Sequence, residues 1–134
     1  MPRVRDFKPE ALQAFFSPKL QVGTPFEGPV WQFIIFIPRW LLASTDRISI
    51  FSAKDEATLE DQLQTHFGGC TIAPYHRGIG RRGRSVEQNS HRVISVIASR
   101  WRGTWRYFKA LRSELEACTG EEQILILHQP LWIV

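Results

Sequence analysis

The sequence predicts an α+β domain in which one antiparallel sheet carries two helices on one face. Three observations point to it. Two amphipathic helical stretches alternate with segments rich in β-branched and aromatic residues, in the order β-α-β-β-α-β. Both helical stretches run into glycine, at Gly68–Gly69 and at Gly120. The 134 residues, 43% apolar and 22% charged, have the length and mix of a single globular domain. A chain of this size buries about two-thirds of its unfolded surface, so its core needs no disulfide or metal staple.

The elements follow in order. Residues 1–29 read as an N-terminal extension with one short helix. Pro9 suits the first helical position, Glu10 to Phe16 supply helix formers, and Pro18 ends the run. Leu12, Phe15 and Phe16 give that helix an apolar side, and Gly23 to Pro29 is a loop. The sandwich domain then spans residues 30–134. Val30 to Ile37 (VWQFIIFI) is almost continuously apolar, as a buried central strand is, and Pro38 is expected to stop it. Arg47 to Phe51 (RISIF) alternates, either as a second short strand or as an extended approach to the next helix.

Ser52 and Asp55 form a capping box with Asp in the place of Glu. Leu59, Leu63 and Phe67 then mark a narrow core-facing stripe. Asp55, Glu56, Glu60 and Asp61 cluster where the helix dipole favours negative charge, and read as capping residues. Cys70 to Tyr75 reads as a strand and HRGIGRRGRSVEQNSH as a long exposed hairpin connection. Arg92 to Ala98 (RVISVIA) is another strand. Trp105, Phe108, Leu111, Leu115 and Cys118 mark the second helix. Gln123 to Leu127 is the last strong strand, with Leu131 to Val134 continuing it or pairing separately after Pro130. This order is the split βαβ, or ferredoxin-like, arrangement.

The pieces LEDQLQTHFGGCT, a glycine-bearing hairpin with Glu87, RVISVIA and FKALRSELEACTGEEQILIL also fall into a familiar sequence. Together they resemble small uncharacterised bacterial proteins of ferredoxin-like type in which a helix ends in an F-G-G-x-T turn. The resemblance spans about Leu59 to Leu127, implies a fold, and brings no catalytic residues with it.

Charge is polarised along the chain. Arginines number 13 against 4 lysines, and the segment from Arg77 to Lys109 carries +8 while the remainder carries −4. Such asymmetry points to an anionic partner. Two cysteines, Cys70 and Cys118, are too few for a disulfide framework or a structural zinc site, and read as free thiols. The longest apolar run, FIIFI, has the length of a strand, and the charged N-terminus does not read as a secretory signal. A cytoplasmic protein without a membrane partner is expected.

The glycines Gly78, Gly80 and Gly83 match G-x-G-x-x-G, but a strand follows where a dinucleotide site needs a helix, and three arginines crowd the glycines. A flexible basic hairpin fits better, with Arg77, Arg81, Arg82 and Arg84 as mobile phosphate contacts. In ASRWRGTWRYFK, Trp105 and Phe108 belong to the apolar side of a helix, leaving Arg100, Arg102 and Arg106 as contacts on a firmer element. The histidines show no metal spacing, and no cofactor motif is present. His76, Glu87 and His91 are the only acid–base cluster in view.

Three functions follow, in order. The first is a non-enzymatic module that binds an anionic partner, nucleic acid foremost, through the Arg-rich hairpin and helix start. The second is a protein-interaction subunit or homodimer that uses a helix-free sheet face, with Trp31, Trp40 and Trp132 as its interface. The third is a small enzyme built on His76, Glu87 and His91.

Overall fold

A computed structural model describes the backbone of residues 5–15, 27–43, 46–49, 51–67, 70–82, 85–120 and 124–134, with side chains for all of these except 13–14, 38–43, 46–49, 74–82 and 85–91. A 3-10 helix at Pro9–Phe15 precedes β1 (Gly28–Ala43), β2 (Asp46–Ser49), α1 (Ala53–Phe67), β3 (Thr71–Arg82), β4 (Ser85–Ser99), α2 (Arg102–Thr119) and β5 (Ile126–Ile133). The protein is α+β, with every strand pairing antiparallel.

β1 is the central strand. One of its edges pairs with β4 along most of its length, from Val30↔Ser99 to Leu41↔Asn89. The other edge is shared: β5 takes Gly28 to Ile35 and β2 takes Trp40 to Ala43. β3 lies outside β4 and forms the far edge of the sheet.

Pro38 does not stop β1. The strand continues to Ala43 through a register shift between Pro38 and Trp40. The reason is positional. The Phe36 N–H points to the β5 side, where it donates to the Leu125 carbonyl at 3.0 Å. Two residues on, the donor that Pro38 lacks falls on the same edge, in the gap between β5 and β2, so no ladder bond is lost. Pro130 is likewise tolerated inside β5, which among the described residues is paired on the β1 side alone.

The hairpin connection expected at 76–91 is mostly strand. β3 runs on to Arg82 and β4 begins at Ser85, with a register shift between Ala73 and His76 that takes up Pro74 and Tyr75. The antiparallel ladder of β3 and β4 outweighs the glycines' weak strand preference.

Alternation places the core. Phe33, Ile35 and Ile37 of β1 face the helices with Ile94, Val96 and Ala98 of β4, all buried. They pack in one cluster with Leu59, Leu63 and Phe67 of α1 and Tyr107, Phe108, Leu111, Leu115 and Cys118 of α2. Phe33 and Phe108 stack with centroids 3.9 Å apart. Ser52 caps α1 by accepting the Asp55 N–H at 3.1 Å. Gly120, at φ 76°, ends α2 in the left-handed region and donates its N–H to the Glu116 carbonyl. The glycine stop at Gly68–Gly69 lies outside the described residues.

Part of the N-terminal extension belongs to the core. Phe7 and Leu12 are buried, and Phe15 packs against the cluster. Glu114 of α2 accepts both Arg5 guanidinium nitrogens at 2.6 Å and the Lys8 N–H at 2.9 Å. Asp55 accepts the Phe7 N–H at 3.4 Å, and Gln62 donates to the Pro9 carbonyl at 3.0 Å. The acids at the start of α1 thus do more than cap it, since Glu56 and Glu60 also hold Arg92 of β4 at 2.9 and 3.2 Å.

Candidate functional site

The two groups of arginines lie at opposite ends of β4. In the first, Arg77 is level with Ser90, Arg81 with Val86 and Arg82 with Ser85. Their side chains, and the whole of Arg84, lie outside the described residues. Pairing of β1 with β4 ends at Leu41↔Asn89, so among the described residues the rows from Ile79↔Gln88 to Arg82↔Ser85 belong to β3 and β4 alone. The hairpin therefore continues beyond Asn89 as a two-stranded ribbon about 13 Å long, at about 3.3 Å per residue.

In the second group, Arg100, Arg102 and Arg106 are exposed at the start of α2. Arg102 and Arg106 sit one turn apart on the same side of the helix. Arg100 instead ties two strand ends together, donating to the Val30 carbonyl at 3.1 Å and the Leu131 carbonyl at 3.3 Å. From Val86 to Arg100 the extended chain covers about 46 Å. One compact ligand does not meet both groups.

The histidines meet more closely. His76 and His91 are register partners across β3 and β4. Glu87 is paired with Gly80, four residues further along β4 and so about 13 Å from His91. The register brings the two histidine positions together and leaves the Glu87 position away from them; all three side chains lie outside the described residues.

The sheet face opposite the helices carries a mixed surface. Ile34 and Phe36 of β1 and Val93 and Ile97 of β4 are half-buried there, while Leu125, Leu127 and Leu131 at β5 are exposed. A polar ladder crosses it: Gln129 donates to Gln32 at 2.6 Å and Gln32 donates to Ser95 at 2.7 Å. Trp31 is on the other side, with its ring 6.0 Å from Trp105 and 6.1 Å from His128 at the margin of the core. Trp132, at 70% exposure, stands at the end of β5. Trp40 is level with Ser90 and Ser49 in the sheet, and its side chain lies outside the described residues.

No family model, curated protein or solved structure matches this chain. Chemistry at the site therefore rests on its own residues. Both cysteines are free thiols. Burial, with Glu114 nearby, pushes the Cys118 thiol up to about 12, and burial also raises Cys70. Neither is a ready nucleophile at neutral pH. Among the described residues no group of His, Cys, Asp and Glu is placed to hold a metal ion, and no helix is long and apolar enough to cross a membrane.

Sequence reasoning missed Arg5, Asp55, Gln62, Tyr107 and Glu114 as the polar residues that fasten the N-terminal segment to the helices. Tyr107 donates to Gln62 at 2.8 Å, which fixes the amide that also reaches Pro9. The available signal was an acid, Glu114, between Leu111 and Leu115 on the apolar side of α2.

Proposed function

We propose that the protein is a non-enzymatic binding module whose Arg-bearing β-ribbon contacts an anionic polymer, with nucleic acid first. The supporting observation is the ribbon itself: β3 and β4 continue past the last row shared with β1, and Arg81 and Arg82 lie in that stretch. A two-stranded ribbon is one of the elements that the major groove of duplex DNA admits. Arginine forks match phosphate oxygens in pairs, and such contacts fix position without reading sequence. Binding of this kind weakens steeply with salt. The test is the anisotropy of a labelled duplex titrated at several potassium chloride concentrations. Affinity that falls linearly on a double-logarithmic plot is expected; no binding at low salt overturns the reading.

Under the same proposal the sheet is ferredoxin-like, with β2 as an added strand beside the second half of β1. The order β5, β1, β4, β3 and the antiparallel pairings support this. The likeness to small bacterial proteins with the F-G-G-x-T turn belongs to this proposal, as does a cytoplasmic location, which two free thiols favour.

A second reading, a self-associating or protein-interaction subunit, is favoured by the half-buried and exposed aliphatic residues on the helix-free face. Light scattering on the purified chain tests self-association: a dimer mass supports this reading and a monomer mass at high concentration counts against it.

A further inference from the structure

The helix-free face of the sheet carries no charge. Every strand residue whose side chain is described there is uncharged, from Leu127 and Gln129 of β5 across Gln32 and Ile34 of β1 to Ser95 and Ile97 of β4. The chain as a whole is 22% charged and carries +4. Two such copies repel one another except where they meet through a neutral surface.

The polar groups on this face suit a second copy of the same face. Gln129 donates to Gln32, and Gln32 donates to Ser95. Among the described residues this ladder leaves the Gln129 amide oxygen as an acceptor at one end and the Ser95 hydroxyl as a donor at the other. A two-fold pairing sets a patch against itself, so the patch must hold both donors and acceptors and no single sign of charge. Leu127 and Leu131, 45% and 36% exposed, supply the apolar area beside the ladder.

The free edge of β5 offers less. Leu125 turns its carbonyl to the Phe36 N–H of β1, so Leu127, Gln129 and Leu131 also direct their main-chain groups to β1 and Pro130 faces outwards. Its missing N–H interrupts the row of donors that an added strand needs.

We propose that two copies of this chain pack helix-free face to helix-free face about a two-fold axis, an arrangement that rests on the self-association reading and not on the ribbon. With β3 covering part of the length, the face measures about 17 by 26 Å, so two copies cover roughly 900 Å², the size of a weak and reversible interface.

The test is sedimentation equilibrium of the full chain over a wide concentration range, at low and at high potassium chloride. A reversible monomer–dimer equilibrium that persists at high salt is expected. Leu127→Lys and, separately, Gln129→Lys change exposed positions and set like charges across the axis; each, checked for an unchanged circular dichroism spectrum, is expected to weaken the dimer at least tenfold. Lys109→Gln, on α2, is expected to leave it as it was. A chain that stays monomeric throughout overturns the proposal together with the self-association reading. A dimer untouched by both face variants, or abolished by salt, overturns the face-to-face pairing alone.

Discussion

Glu114 is the acceptor around which the N-terminal segment is organised. Its carboxylate is almost fully buried, with 6% of the side chain exposed, and meets a partly exposed Arg5 in a two-toothed pair. Truncating a partner in such a contact leaves the other charge short of hydrogen bonds. Glu114→Gln is expected to lower unfolding free energy by about 2 kcal/mol in urea titrations, within the range for hydrogen bonds to charged groups. An unchanged midpoint would show that the Arg5 and Lys8 contacts contribute nothing. Cys118 makes a second residue-scale prediction. Its folded value lies near 12, above the ordinary 9.0, so the unfolded chain releases this proton first as pH rises. Its contribution is complete below pH 9 and is lost progressively towards 12. Wild type should therefore lose more stability between pH 8 and pH 10.5 than Cys118→Val does; parallel losses would contradict the burial of the thiol.

At the scale of elements, the helices are held by the core cluster, with a serine cap on α1 and the Phe33–Phe108 stack beneath α2. Ser52→Ala removes the acceptor for the Asp55 N–H and should cost about 1 kcal/mol. Phe108→Ala removes the ring stacked on Phe33 and should cost about 3–5 kcal/mol, damaging the fold before any binding property. Both helices were legible because their signals are local: a capping serine, a stripe at Leu59, Leu63 and Phe67, and a left-handed glycine at Gly120. The strands were legible in their apolar cores and not in their lengths. Pro38 reads as a stop until the gap between β5 and β2 is known, and that gap is a tertiary fact. The hairpin was misread as a loop because glycine and arginine are weak strand formers, while the ladder between β3 and β4 depends on partners, not composition. The strap of Arg5 to Phe15 was hidden for the same reason: Asp55 reads as a helix cap, and Glu114 on the apolar side of α2 does not say which segment lies over it.

Across the whole molecule, the fold turns a block of basic sequence into two separated groups. Arg81 and Arg82 go to the hairpin end, while the arginines from Arg100 to Arg106 go to the opposite end of β4, with Val86, the partner of Arg81, about 46 Å from Arg100 by extended-chain length. A duplex of eight base pairs is about 27 Å long and cannot span that distance. Arg102→Ala/Arg106→Ala should accordingly leave the affinity for such a short duplex unchanged when the ribbon is the contact. The measurement that tests the account most directly is the salt dependence of duplex binding by the Arg81→Ala/Arg82→Ala/Arg84→Ala variant. Arg81 and Arg82 lie on rows that β3 and β4 share without β1, so folding should change by no more than about 0.5 kcal/mol per position. The slope of log affinity against log salt should become shallower by roughly two to three units. A folded variant with an unchanged slope would contradict the ribbon's role.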